Sequence, residues 1–310
     1  MTNFIKPAAS YMRRGAFSFF LILFSLFISF FCSKSIGEFV ISGLSLCKNV
    51  IIGSVFPFMI LSDYISSALR FDSNSFLGNA FERIFNINKQ GISAFIIGII
   101  CGFPLGAKSA YDLYKDGRIT RDECERLISF SNNTGPAFIV SGIGIAMRNS
   151  FLQGIILYFS MVFSAIIVGF FIGRGKKASF SANNYNSRSF NFVDSVKSSA
   201  SNTLNVCAFI VFFSVITGFM KIIINNDTIL AFLYPFIEIS NASRALSYNI
   251  SSPNLSLILT SFAISFSGLS VHMQARSIIT DRTISMRQHF IAKLMQGLIA
   301  AIITSIIIVL

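Results

Sequence analysis

No tryptophan occurs in this chain, and charged side chains make up only 12% of its 310 residues. An ordinary soluble domain carries about twice that share of charge, so a soluble enzyme or binding module is excluded by composition. Without Trp, any aromatic belt at a membrane–water boundary falls to Tyr. Acidic residues are also scarce: 13 Asp and Glu stand against 25 Lys and Arg, giving a net charge of +12. In a membrane protein such an excess marks cytoplasmic loops, and it is also compatible with an anionic solute. Cysteine is limited to Cys32, Cys47, Cys101, Cys124 and Cys207, with no CxxC pair and no metal-ligand spacing. In apolar surroundings such residues act as small hydrophobes, and neither a disulfide nor a metal is expected. Walker loop, HExxH motif and nucleophile elbow are absent. No enzymatic activity, no cofactor and no ATP-driven transport by this chain alone are therefore expected. The basic residues are scattered rather than gathered in one patch, which argues against nucleic acid.

What is abundant is apolar surface. Hydrophobic residues make up 53% of the chain, mean hydropathy is +0.69, and Phe alone occurs 36 times. Residues 15–32, 151–173, 204–220 and 294–310 carry no charge, and the first two approach or reach the length that crosses a hydrocarbon core of about 30 Å. The expected fold is all-α: a polytopic transmembrane helical bundle with the lipid bilayer as its surroundings.

Taken in order, Lys6, Arg13 and Arg14 precede the apolar run 16–31. No small-x-small cleavage site follows, so this reads as an uncleaved first helix within an N-terminal unit 1–38. A second span covers 39–62, with Pro57 expected to kink or break it. Residues 63–90 read as a polar loop with a short amphipathic helix. Residues 92–101 are apolar but too short to span, and the helix should stop near Gly102, because Phe103 precedes Pro104. A charged arm follows at 107–127, in which Thr120 and Glu123 form a capping box for a helix running to about Phe130. Pro136 opens another short helix, 136–147, with Thr134 or Gly135 as its cap. A full span at 151–173 leads to Arg174-Gly-Lys-Lys and a Ser/Asn-rich linker, 174–190, whose basic cluster points to the cytoplasmic side.

Short Gly/Pro-interrupted apolar segments recur. Gly268 ends the apolar run 255–267 as Gly102 ends 92–101, and Ile284-Ser285-x-x-Gln288 echoes Ile119-Thr120-x-x-Glu123 at an offset of about 165. Two related halves are expected, 39–173 and 191–310, with broken helices or re-entrant hairpins. That pattern points to a transporter. A lipid-exposed break would leave backbone groups unpaired at several kcal/mol each, so the breaks must be buried or line a polar cavity. A half-helix starting at Pro136 offers free N–H groups and a positive dipole end, a ready anion or polar-ligand site.

Five motifs occur in order: Phe56-Pro-Phe58, Gly102-Phe-Pro-Leu-Gly-Ala-Lys108, Ser131-Asn-Asn-Thr-Gly-Pro136, Glu238-Ile-Ser-Asn241 and Gly268-Leu-Ser-Val-His-Met-Gln274. Together they resemble the sporulation integral membrane protein YlbJ family over roughly residues 40–300. The resemblance implies a nucleoside-recognition gate domain, shared in outline with concentrative nucleoside transporters and spore maturation proteins. It further implies a forespore envelope location and movement of dipicolinic acid, a small aromatic dianion, into the developing spore. Two positions depart from the pattern: Ser267 stands where a second Gly is expected, and Met273 stands where a smaller residue is expected. A nucleoside-type solute, or a non-transporting scaffold of spore envelope assembly, remains the alternative. Expected partners are the small-molecule substrate, another copy of the chain or other sporulation membrane proteins.

The candidate substrate-binding residues follow from the breaks: Pro104, Gly106 and Lys108; Asn132, Asn133, Thr134 and Gly135; Glu238 and Asn241; Gly268, Ser270, His272 and Gln274. Asn132, Asn133 and Thr134 offer donors and acceptors at a helix start. Lys108 would pair a substrate carboxylate or, equally, snorkel to the interface. Glu238, an acidic residue in an apolar run, reads as a proton-coupling group or a partner for Arg244 or Arg276. His272 reads first as a satisfied structural residue and second as a proton relay. Lys221 and Lys293 read as snorkelling side chains.

Overall fold

The computed structural model describes residues 33–68, 76–178 and 190–309. The expected first helix over the apolar run 16–31, with Arg13 and Arg14, lies outside the described residues, as does linker segment 179–189. Everything regular among the described residues is helical.

The helices are α1 (Ser33–Leu46), α2 (Ile52–Ala68), α3 (Phe76–Phe85), α4 (Ile92–Ile100), α5 (Leu105–Lys115), α6 (Arg121–Ser131), the π-helix α7 (Ala137–Met147), α8 (Phe151–Gly173), α9 (Phe192–Ile223), α10 (Asp227–Ile237), α11 (Ile239–Asn249), α12 (Pro253–Phe266), α13 (Gly268–Ile278) and α14 (Arg287–Val309). Four stretches are long and apolar enough to cross a membrane: α8, α9, α12 with α13, and α14. Caps fix many of the starts. Thr120 and Glu123 form the expected capping box of α6, Ser150 accepts from Gln153 N at 3.2 Å to open α8, and Ser252 with Pro253 opens α12. The expected second box is not made: Ser285 accepts from Arg287 N, two residues on, and α14 starts there.

Pro57 does not break its helix. α2 runs through it, and the backbone widens instead to one π-turn at Cys47–Ile51, joining α1 and α2 into one long rod. That rod lies antiparallel to α9. Phe39 meets Phe219, Cys47 Sγ reaches Cys207 O, and Asp63 accepts from Ser195 Oγ.

One end of the bundle gathers charge. Lys108 pairs with Asp63 and Asp112, Tyr111 meets Thr280, Ser285 N donates to Glu125, and Arg126 bonds Asp122 and the Asn86 carbonyl. At the opposite end Arg148 donates to Ser256 and Thr260, and Lys221 and Asp227 lie exposed.

From the charged end, α4 enters, turns at Gly102–Pro104 and returns as α5, so this pair is a re-entrant hairpin with Gly98 and Gly106 face to face. α6 then runs inward, breaks at 132–136 and continues as α7 to the opposite end, and α8 comes back. From that opposite end α10 and α11 form a second hairpin, turning at Glu238. α12 runs inward, breaks at Ser267–Gly268 and continues as α13 to the charged end, and α14 comes back. The order hairpin, interrupted helix, uninterrupted helix thus occurs twice, from opposite ends.

This arrangement corrects the offset of about 165. Gly102 is a hairpin turn, whereas Gly268 interrupts a through-going helix. The segments that share a place are 128–131 and 264–267, both reading Ile-Ser-Phe-Ser and 136 residues apart. Phe81, Phe85, Phe95 and Phe130 pack with ring centroids 4.8 to 6.4 Å apart under α8, which accounts for part of the Phe content.

Candidate functional site

The four interruptions converge. Gly102, at φ +84°, lies so close to Gly135 that a Cβ there would come within 2.6 Å of its nitrogen. Gly106 packs against the Ser131 carbonyl, where a Cβ would come within 2.0 Å. The first hairpin tip is therefore pressed onto the break between α6 and α7. The second tip is pressed onto the break between α12 and α13, with Gly268 (φ +67°) against Ile237 and Glu238. Thr134 Oγ1 donates to Ile264 O at 2.7 Å and so ties one break to the other. Thr134 therefore does not cap α7, which begins after Pro136 without a side-chain cap.

At the first break Asn132, Asn133 and Thr134 are fully buried. Asn133 Oδ1 accepts from Lys293 Nζ at 3.3 Å and from Gln296 Nε2 at 2.9 Å, while its Nδ2 donates to Phe130 O at 2.7 Å. Lys293 is 0% exposed and also donates to Gln296 Oε1 at 2.7 Å. Gln296 Nε2 reaches the Met161 carbonyl at 3.2 Å. No carboxylate lies within ion-pair distance of Lys293 among the described residues. Both polar atoms of the Asn132 side chain are buried without a hydrogen-bond partner. The snorkelling assignment of Lys293 is thus overturned: its helix turns it inward, where nothing leads to water. Lys221 is exposed near the end of α9, in keeping with that assignment.

Next to Lys293 on α14, His289 places Nδ1 3.2 Å from the Ile128 carbonyl, and its Nε2 has no partner. Its ring faces His272 of α13, with centroids 5.0 Å apart. Both nitrogens of His272 are unpartnered between Phe266 and Phe290, so His272 is buried but not satisfied, contrary to the first expectation. Gln274 Nε2 donates to Ser270 Oγ at 3.1 Å and leaves its own Oε1 unpartnered.

Three candidates have other work. Lys108 sits at the charged end, bonded to Asp63 and to Asp112, and is not free to take a substrate carboxylate. Burial disfavours its charge, but the Asp112 and Asp63 carboxylates outweigh that and hold its ammonium above the ordinary value. Glu238 caps α11 by accepting from Ser240 N at 2.9 Å and Asn241 N at 2.8 Å. Neither Arg244, which is exposed, nor Arg276, which donates to the carbonyls of Ile279 and Asp281, pairs with it. Asn241 Nδ2 donates to Thr217 Oγ1 at 3.0 Å, joining the second hairpin to α9. Pro104 is buried in the first hairpin turn. Met273 is 46% exposed and points away from the cluster, so it does not shape a pocket, and Ser267 holds a left-handed backbone at φ +74° that a Gly would adopt freely.

His289 and Gln296 are not among the candidates that the sequence offers, and Lys293 reads there as a snorkelling side chain. Their signal was present: residues 289, 293 and 296 share one face of an otherwise apolar helix. The cluster is enclosed. A separate hollow of about 590 Å3 opens at the charged end between α2, α5 and the start of α9, lined by Asp63, Lys108, Tyr111 and Asn202 among others. Among the described residues no three His, Cys, Asp or Glu side chains gather as a metal site.

The chain is similar to the sporulation integral membrane protein YlbJ of Bacillus subtilis (strain 168): 28% identity over 331 aligned positions, covering 92% of this chain and 80% of that protein. No family model matches the chain, and no solved structure does.

Proposed function

We propose that this helical integral membrane protein, whose similarity to a sporulation protein supports a part in sporulation, moves a small organic anion across the membrane. We further propose that the solute is dipicolinate. The observation that carries the reading is Lys293. An amine buried this completely costs several kcal/mol when charged unless an anion accompanies it, and its protein partners supply only neutral amide oxygens. A carboxylate arriving from solution would give the missing charge, and the unpartnered Asn132 Nδ2 beside this cluster would give it a donor.

The two hairpins supply the means. Their tips meet the interrupted helices at the centre from opposite ends, which we read as an inverted repeat. Withdrawal of one tip would open the cluster to one side while the other tip keeps it closed. The hollow at the charged end would serve as the vestibule of that side.

The test is the dipicolinate content of spores from a strain whose only copy carries Lys293→Gln, with the amount of protein in the membrane measured in parallel. Loss of dipicolinate at an undiminished protein level is expected. Normal dipicolinate would overturn the reading in favour of a scaffold.

A further inference from the structure

We propose that the His272–His289 pair is a proton site, and that the anion crosses together with a proton carried by this pair. The inference rests on the anion-transport reading above and deepens it by naming the coupling ion.

The geometry comes first. Two imidazoles from different helices stack edge to face at 5.0 Å in the interior, His272 8% and His289 1% exposed. Imidazoles that serve only packing commonly bond both nitrogens, yet three of these four have no partner. The Ile128 carbonyl accepts from His289 Nδ1, so in the neutral ring the Nε2 lone pair is bare and ready to take a proton. His272 offers a second acceptor to the same proton. Histidine is the side chain whose ordinary charge change lies near neutral pH.

The surroundings supply the coupling. The charged group facing the pair is Lys293, one turn from His289 on α14. The other charged groups of neighbouring helices are turned elsewhere. On α5 Lys108 and Asp112 hold each other, and on α6 Arg126 and Glu123 bond Asp122 and Thr120. On α10 and α11 Asp227 and Arg244 are exposed, and on α9 Asp194, Lys197 and Lys221 are exposed. α8 and α12 carry no charged residue. With the site empty, burial opposes a charge on the pair, and a charged Lys293 would add to that opposition. A dicarboxylate beside Lys293 carries two negative charges against one positive, and the excess favours protonation of the pair. The proton comes from water on the loading side, binds the His289 Nε2 lone pair and leaves with the solute on the other side, with no other bond made or broken. Reciprocity then requires that a proton on the pair strengthen anion binding by the same factor.

The experiment is calorimetric titration of the purified full-length protein with dipicolinate between about pH 7 and 8, where both carboxyls of the free ligand are ionised, in buffers of different ionisation enthalpy. Uptake of about one proton per dipicolinate is expected, with affinity rising by up to about tenfold for each unit of falling pH. In the double variant His272→Gln, His289→Gln the uptake should vanish and the affinity become flat with pH. Measurable binding by the unaltered protein without proton uptake would overturn the coupling and leave the transport reading standing. Absence of any binding would overturn both. If the double variant does not fold, the single variants His272→Gln and His289→Gln replace it: uptake lost in either supports the coupling, and uptake undiminished in both would overturn it, because Lys293 would then be the group that takes the proton.

Discussion

Lys293 and Asn133 lie 160 residues apart in the chain, yet meet in the interior with Nζ 3.3 Å from Oδ1. The contact joins an uninterrupted helix to the break of another, and it places a cation where the backbone is already irregular. Helix interruption normally adds unpaired backbone groups to the interior. Here the interruption and the lysine sit together, and a bound anion would satisfy both.

The first prediction exploits that contact. Asn133→Asp puts a permanent carboxylate beside Lys293. The ion pair gained with Lys293 offsets the bond from Asn133 Nδ2 to Phe130 O that is lost, so the variant should still fold and insert. It should lose dipicolinate binding by at least about tenfold, equivalent to about 1.4 kcal/mol, because the lysine no longer needs the solute. Calorimetric titration checks the affinity, and thermal unfolding in detergent checks the fold.

Close approach at the first hairpin gives the second. Gly106→Ala would drive a methyl group into the Ser131 carbonyl at 2.0 Å. Backbone cannot yield there cheaply, and a cost of about 3 kcal/mol is expected. The variant should show a lowered melting temperature or a reduced level in the membrane. Gly117→Ala is a control for a glycine with open space around it, though its φ of +71° adds a smaller strain of about 1 kcal/mol.

How much of this was visible in the residues depends on the kind of signal. Gly102, the 131–136 segment and the span 151–173 were legible, because Gly/Pro breaks and long charge-free runs act locally. Whether a broken segment turns back or passes through was not legible, since α4–α5 and α12–α13 carry similar Gly breaks and differ only in what they pack against. Capping boxes are common and mark a repeat only weakly. The identical Ile-Ser-Phe-Ser at 128–131 and 264–267 marks, in both segments, the helix end that packs at the centre. A lysine near a helix start commonly reaches water, and for Lys293 only the inward-facing row with His289 and Gln296 indicates otherwise. Lys108 drew attention by following a break, but its charge is taken by Asp63 of a distant segment.

Ser267 supplies the third prediction. Its φ of +74° strains a residue with a Cβ by about 1–2 kcal/mol, partly offset by the bond from its Oγ to Ile264 O at 3.1 Å, worth about 1 kcal/mol. Ser267→Gly should therefore melt within a few degrees of the unaltered protein. Ser267→Val, β-branched at a positive φ and without the hydroxyl, should melt well below both.

The fourth concerns the charged end, outside the four spans. Burial opposes the charge of Asp112, but the Lys108 and Lys115 ammonium groups outweigh it and hold its carboxyl below the ordinary value. Its contribution to stability is thus complete above about pH 4 and lost as pH falls through the lower folded value. Lys108 is shifted the other way, so its contribution is complete below about pH 10 and lost only at higher pH. Lys108→Met should lower stability by about 2 kcal/mol at neutral pH, with a gap to the unaltered protein that narrows toward about pH 3. Melting curves across that range measure it, and dipicolinate affinity at neutral pH should stay within about threefold.

The most direct test is uptake of labelled dipicolinate by liposomes containing the purified protein, compared with liposomes containing Lys293→Gln at equal density. The account predicts saturable uptake by the unaltered protein and a rate at least about 100-fold lower in the variant, the consequence of removing one partner of a buried charge pair. Uptake no greater than in empty liposomes, or equal uptake in the variant, would contradict it.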